Sequence, residues 1–185
     1  TPQSFGEVRP GDIKYNDQNL DGIIDAKDEI YLGSYSPDII ASLNITLQYK
    51  NLSLFALASG YSGAKAFTNS DYYWVFGEKK YSEVVLDRWT ETSQNVSFPR
   101  LSTTSSSNNF RNSSYWLYDQ TRITIDRIQL SYDVPEKSIS VFNNLRFYLR
   151  ASNVAMFSKN KDIMELNVGT QPQYRYYAIG INASF

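Results

Sequence analysis

The sequence predicts an all-β, antiparallel protein of the transmembrane β-barrel type, on three observations. Apolar and polar residues alternate with a period of two over segments of about 9–12 residues, the length of a tilted membrane-crossing strand. Helical periodicity is nearly missing. Connections run alternately long (1–37), short (50–51), long (61–119), short (134–144) and long (155–173), as in a barrel with long loops on one side and tight turns on the other. A soluble β-sandwich with one solvated face per strand shares the alternation and is the competing reading.

The elements follow in chain order. In "ASLNITLQY" (41–49), Leu43, Ile45, Leu47 and Tyr49 take one face and Ser42, Asn44, Thr46 and Gln48 the other. Lys50-Asn51 is a tight hairpin turn into "LSLFALASG" (52–60). The stretch 61–115 is rich in Ser, Asn, Thr, Gly and aromatics; "SEVVLDRW" (82–89) fits a short helix, and "STTSSSNN" (102–109) reads as a mobile low-complexity run. In "QTRITIDRIQLSYDVP" (120–135), Ile123 and Ile125 share one parity while Ile128, Leu130 and Tyr132 share the other, so a β-bulge near Asp126-Arg127 is expected. "LRFYLRASNVAMF" (145–157) alternates again, a polar stretch 158–173 follows, and "YRYYAIGINASF" (174–185) is the last strand.

Composition narrows the chemistry. Lys and Arg total 18 against 19 Asp and Glu, so no electrostatic case exists for nucleic acid. The chain has no His and no Cys, which excludes zinc, haem, disulfides and His-based catalysis within it. Aromatic content of 15% with a mean hydropathy of −0.43 means that apolar mass is interleaved with polar residues. Residues 1–12 have no basic start, apolar run or small-residue cleavage site, so a mature chain or a fragment is expected. Carboxylate pairs such as Asp87/Glu91 and Asp126/Asp133 fall in loops or on strand faces, where solvated charge is the reading; no catalytic residue is expected.

One loop carries a metal-type pattern. In "DQNLDGIIDAKDE" (17–29), Asp17, Asn19 and Asp21 supply oxygens at alternate positions, Gly22 permits the bend, and Ile23 offers a backbone carbonyl. Asp25 and Asp28 fall at the ninth and twelfth positions of an EF-hand-like loop, with the shorter Asp28 in place of the usual Glu. Hard oxygen donors favour Ca²⁺ over Mg²⁺. The flanks "DIKY" and "IYLG" look extended, so a structural clip is expected rather than a sensor, with Ile24 free to tuck inward.

With these segments in hand, the chain resembles the C-terminal part of a SusC/RagA-type TonB-linked outer-membrane protein. The residues carrying this are "RPGDIKYNDQNLDGIIDAKDEIYLGSYSPDI", "YKNLSLFALASGYSG", "DRWTETSQNVSFPRL", "SYWLYDQTRITIDRIQLSYDVPE", "LRFYLRASNVAMFSK" and the ending "YYAIGINASF", in order over nearly the whole chain. Thr124-Ile125-Asp126 and Val154-Ala155 depart from the family's usual phrases. The resemblance implies about five final strands of a larger barrel of about 22 strands, in the outer membrane of a Bacteroidota-type Gram-negative cell. It also implies import of oligosaccharides or peptides driven by TonB, with a SusD-like lipoprotein as lid and the plug lying upstream. Phe185 then resembles the terminal signal read by the barrel-assembly machinery. With a periplasmic C-terminus, Lys50-Asn51 and 134–144 are periplasmic turns, and the calcium-type loop (1–37), 61–119 and 155–173 are extracellular.

Tyr72, Tyr73, Trp74 and Trp116 are candidate substrate contacts, since aromatic rings stack on sugars. Two other functions fit the same residues: a secreted, calcium-clipped β-sandwich that binds carbohydrate, and a barrel that has given up import to serve as a structural subunit.

Overall fold

The computed structural model describes residues 1–103, 108–135, 141–167 and 171–184. They fall into two compact units, one of Thr1–Gly33 with Ala66–Tyr118, the other of Ser34–Lys65 with Asp119–Phe185.

The second unit is one antiparallel sheet. Its strands are β1 (Ile39–Tyr49), β2 (Leu52–Ser62), β5 (Arg122–Asp133), β6 (Asn144–Phe157) and β7 (Tyr176–Ser184), ordered β1-β2-β5-β6-β7. Two short strands, β3 (Lys65–Phe67) and β4 (Leu117–Asp119), pair separately. The expected hairpin is present: Tyr49 pairs with Leu52 across Lys50 and Asn51, and Lys50 takes a left-handed φ of 51°. The sheet is open, with β1 and β7 as its edges.

The phase slip in β5 is resolved by the expected bulge. On β2, Leu57 pairs with Arg127 and Ala58 with Ile125, so Asp126 is the extra residue. The same register break recurs against β6, where Ile125 pairs with Ala155 and Arg127 with Ser152. Asn153 absorbs the mismatch at φ 53°. The bulge returns Ile123 and Ile125 to the face of Ile128, Leu130 and Tyr132.

The registers therefore gather one apolar face without a charged residue: Leu43, Ile45 and Leu47 on β1, Leu54 and Ala56 on β2, Ile128 and Leu130 on β5, Phe147 and Leu149 on β6, Ile179 and Ile181 on β7. This face is open to the surroundings, with Leu43 60% and Ile179 83% exposed. In a sandwich a second sheet would cover it; among the described residues the five long strands form a single sheet. The opposite face carries Arg122, Arg127, Arg146 and Arg150, with Asp133 bonded to Arg146 at 2.5 Å. There Tyr148 lies over its partner Gly180, where a Cβ would overlap the ring.

Two short helices lie within the connections. The short helix expected in "SEVVLDRW" is present as a 3₁₀ helix at Glu83–Asp87. The polar stretch 158–173 contains a helix, α1 (Lys161–Leu166), closed by Asn167 at φ 42°. Six residues are too few to show a 3.6-residue period.

The first unit has its own core of Ile13, Val75, Val85, Phe98, Phe110 and Trp116. "STTSSSNN" is corrected at its end: Asn108 and Asn109 are 1% and 0% exposed, fully enclosed. Their amides serve a buried polar network. Asn109 Oδ1 accepts from the Ile13 N–H at 2.9 Å, and Asn109 Nδ2 donates to Asp12 at 2.7 Å. Asn108 Nδ2 donates to the Ile13 carbonyl at 2.9 Å. Arg100 Nη2 donates to Asp12 Oδ2 at 3.0 Å, and its Nε lies at ion-pair distance, 2.8 Å, from Asp12 Oδ1. Local composition is blind to such partners because they come from about a hundred residues away.

Candidate functional site

The acidic loop winds on itself through its own side chains. Asp17 accepts from the N–H groups of Leu20 (2.6 Å) and Gly22 (2.9 Å). Asn19 Oδ1 accepts from Asp21 N–H at 2.9 Å, and Asp21 Oδ1 from Ile23 N–H at 3.0 Å. Asp25 accepts from Lys27 N–H at 2.8 Å, capping a 3₁₀ turn at Ala26–Asp28. The Asp28 carboxylate closes the ring of the loop, accepting from Asp25 N–H at 2.8 Å and from Gln18 N–H at 2.7 Å. The hydrogen bond from the Asp25 backbone, followed by those from Gln18 and Asn19, holds the Asp28 carboxyl below its ordinary value.

Gly22 sits at φ 87°, the left-handed bend the spacing asks for. Ile24 tucks inward, 1% exposed, its backbone bonded to Pro2 and Ser4. Among the described residues no three acidic side chains converge closely enough to hold an ion between them. The carboxylates engage backbone N–H groups, and Lys27 Nζ lies 3.7 Å from Asp21.

The four aromatic candidates divide. Trp116 is a core residue, 5% exposed, stacked on Phe110 at 6.0 Å and donating its indole N–H to the Asn109 carbonyl at 2.7 Å. Trp74 packs against that core. Trp74 meets Phe110 at a tilt and Trp116 edge-on, so the enclosed Trp116 ring packs on its neighbours while Trp74 stays half-buried. Tyr72 and Tyr73 stay partly exposed, in an edge-to-face pair at 5.0 Å. Phe185 lies outside the described residues.

A concavity of about 520 Å³ opens on the charged face of the sheet, lined from β2, β5, β6, α1 and residues 173–175. Sequence reading passed over its Arg122 and took Asp126 as a solvated strand-face carboxylate at a bulge. The phase slip at Asp126 was the one signal pointing there, and it marks a bend in the strand rather than a ligand.

No family model matches the chain. TonB-dependent receptor P26 of Formosa agariphila is 30% identical over 196 residues, covering 95% of this chain and 20% of that receptor. Among solved structures, the RagAB peptide importer in its open-open state matches at a TM-score of 0.62 with 23% identity over 83% of this chain. Its closed-closed state matches at 0.63 and 23% over 84%. A further structure of the RagAB peptide transporter matches at 0.63 and 24% over 83%. The chain spans about a fifth of the length of these relatives, which are receptors and importers rather than enzymes. Over nearly its whole length, the chain carries the sequence pattern and the fold of a segment of a TonB-dependent receptor.

Proposed function

We propose that this chain is one stretch of a TonB-dependent outer-membrane importer, supplying about five adjacent membrane-spanning strands to a closed barrel of about 22. The observation that carries this is the uncovered, charge-free apolar face of the sheet, in a chain similar to a TonB-dependent receptor over 95% of its length. From Tyr132 to Ile123 that face runs about nine residues, or about 30 Å; tilted by about 40° it spans about 23 Å, against a lipid-facing band of about 25 Å. Tyr49, Tyr132 and Phe147 lie in one row at the hairpin end, where an interfacial aromatic girdle belongs. The edges β1 and β7 are the strands that pair with the rest of the barrel. In this reading the C-terminus is periplasmic, Phe185 serves assembly, and the loops 1–37, 61–119 and 155–173 face outward toward a SusD-like lipoprotein. The cargo is an oligosaccharide or peptide, the latter being what RagAB carries.

The full-length receptor is expected in the outer-membrane fraction. Its deletion should abolish growth on one member of a panel of oligosaccharides and peptides, as should removal of TonB. Unchanged growth on every member, with the protein still in the outer membrane, would replace import by a structural role. Adjacent substitutions test the membrane face. Leu43→Arg, at mid-strand, is expected to cost about 2–4 kcal/mol in urea unfolding from phospholipid vesicles, while Asn44→Arg costs little. Equal effects would sink the lipid-facing assignment.

The acidic loop is proposed as a Ca²⁺ clip formed by Asp17, Asn19, Asp21, the Ile23 carbonyl, Asp25 and Asp28. Every donor is oxygen, the loop is already wound, and every carboxylate oxygen except Asp28 Oδ1, which accepts from both Gln18 and Asn19, keeps a lone pair beyond the N–H it accepts. The ion would supply cross-linking of the loop and no chemistry. Limited proteolysis between Gly11 and Gly33 should speed up in EDTA and return to its former rate with added Ca²⁺. Asp21→Ala should cleave fast in both conditions; a rate indifferent to EDTA counts against the clip.

A further inference from the structure

The acidic loop and the enclosed Asn108-Asn109 pair belong to the same compact unit, and the side chain of Gln3 stands between them. On the loop side the link is backbone. The Ile24 N–H donates to the Pro2 carbonyl at 2.9 Å, and the Ile24 carbonyl accepts from the Ser4 N–H at 2.9 Å, a parallel bridge centred on Gln3. Ser4 Oγ donates to the same carbonyl at 3.1 Å. Ile24 is enclosed, and the loop's own carboxylates hold its neighbours on both sides. Asp21 accepts from the Ile23 N–H, and Asp28 from the Asp25 N–H. The bridge therefore depends on the loop being wound.

On the other side both hydrogens and the oxygen of the Gln3 amide are engaged. Nε2 donates to the Ile13 carbonyl at 3.1 Å and to Asn108 Oδ1 at 2.6 Å, and Oε1 accepts from the Tyr15 N–H at 2.6 Å. The same groups reach the interior. Asn108 donates to the Ile13 carbonyl, the Tyr15 hydroxyl donates to the Asn108 carbonyl at 2.7 Å, and Asn109 binds both the Ile13 N–H and the Trp116 indole. In so enclosed a network, losing one member leaves others unsatisfied away from water, so its bonds stand or fall together. A second link joins Glu29 to Arg111 at 2.9 Å, with Arg111 stacked on Phe5. The Glu29 side chain is 67% exposed, so that pair contributes little.

We infer that Gln3 couples the two, so that winding of the acidic loop at 17–29 sets the order of residues 108–116 in the next long loop. Unwinding withdraws Ile24 from Pro2 and Ser4 and frees Gln3. That removes the donor from Asn108 Oδ1 and the acceptor from the Tyr15 N–H, and the network around Ile13 opens with them. In the importer reading both segments are outward-facing loops, and the acidic loop then controls its neighbour as well as stiffening itself. Control by Ca²⁺ rests on the clip proposed above; transmission through Gln3 does not. Gln3 is a positioning residue and supplies no oxygen to the clip.

Amide hydrogen exchange of the full-length receptor in detergent, read as a double-mutant cycle, tests the coupling. Asp28→Ala removes the carboxylate that closes the loop and should speed exchange at 108–116 by about threefold or more, as well as at 17–29. Gln3→Ala should speed exchange at 108–116 by itself, and in that background Asp28→Ala should add nothing there. Gln3→Glu keeps the acceptor for Tyr15 but loses both donors, and should fall between the two. Arg111→Ala should leave the response of 108–116 to Asp28→Ala in place. Heat-modifiable migration confirms that each variant's barrel has folded, and Asp17→Asn is a milder way to loosen the loop should Asp28→Ala fail that check. Faster exchange confined to 17–29, or an equal effect of Asp28→Ala at 108–116 with and without Gln3, would overturn the coupling. EDTA added to the wild type should reproduce Asp28→Ala at both segments. No response to EDTA at either segment, with the Asp28→Ala cycle intact, removes the clip and leaves the coupling. A response to EDTA confined to 17–29 leaves the clip and removes the coupling.

Discussion

Replacing Arg100 by alanine is expected to destabilise the loop unit by about 3–5 kcal/mol, the cost of leaving a buried carboxylate without its counter-charge. The Asp12 side chain is fully enclosed; Arg100 Nη2 donates to its Oδ2, and the guanidinium stands as its counter-charge with Nε 2.8 Å from Oδ1. Asp12 Oδ1 also accepts from Asn109, and Oδ2 from the Arg9 N–H at 2.8 Å. Lysine keeps the charge but not the planar guanidinium that reaches Asp12 with Nη2 and Nε together, so Arg100→Lys should recover only part of the loss. Adding Asp12→Asn to Arg100→Ala removes the orphaned charge and should restore stability above that of Arg100→Ala alone. The measurement is amide hydrogen exchange across residues 66–118 of the full-length receptor, where opening of this unit is read separately from the barrel strands. Protection unchanged in Arg100→Ala would show that the pair contributes nothing.

Trp116→Ala should have an effect of the same size, about 3–5 kcal/mol, because it empties a large volume at the centre of the aromatic cluster. It also removes the indole donor from the Asn109 carbonyl. The expected result is loss of exchange protection in the same segment, with urea resistance of the barrel strands kept. Trp116→Phe should retain most of the packing while losing the N–H. An exposed sugar platform would behave oppositely: Trp116→Ala would leave protection intact and weaken a ligand.

Much of the sheet was legible because alternation is a local property. Leu43, Ile45 and Leu47 declare a face without knowledge of their neighbours, and the parity change between Ile125 and Ile128 requires one extra residue wherever the strand pairs. The acidic loop was legible for the same reason: the hydrogen bonds that its Asp and Asn side chains make join residues at most ten positions apart. Its curl through Gly22 and the inward Ile24 follow from spacing alone. The ion itself does not follow, since the same oxygens that would bind it also cap backbone N–H groups.

What escaped sequence reading was settled by partners distant in the chain. Asn108 and Asn109 look like the tail of a serine-rich loop, yet Ile13, Asp12 and Gln3 draw them into the interior across about a hundred residues. Trp116 looks like a ligand platform until Phe110 and Phe98 close over it. Arg122 and Asp126 look like ordinary strand charges, and only the pairing of β2, β5 and β6 places them on one concave wall with Ser59 and Asn153. The sequence by itself determined the strands, their faces and the acidic loop, because periodicity and short-range hydrogen bonds are written in neighbouring residues. Only the tertiary structure decided which polar and aromatic side chains are enclosed and which stand open. Burial depends on what packs against a residue, and that comes from elsewhere in the chain.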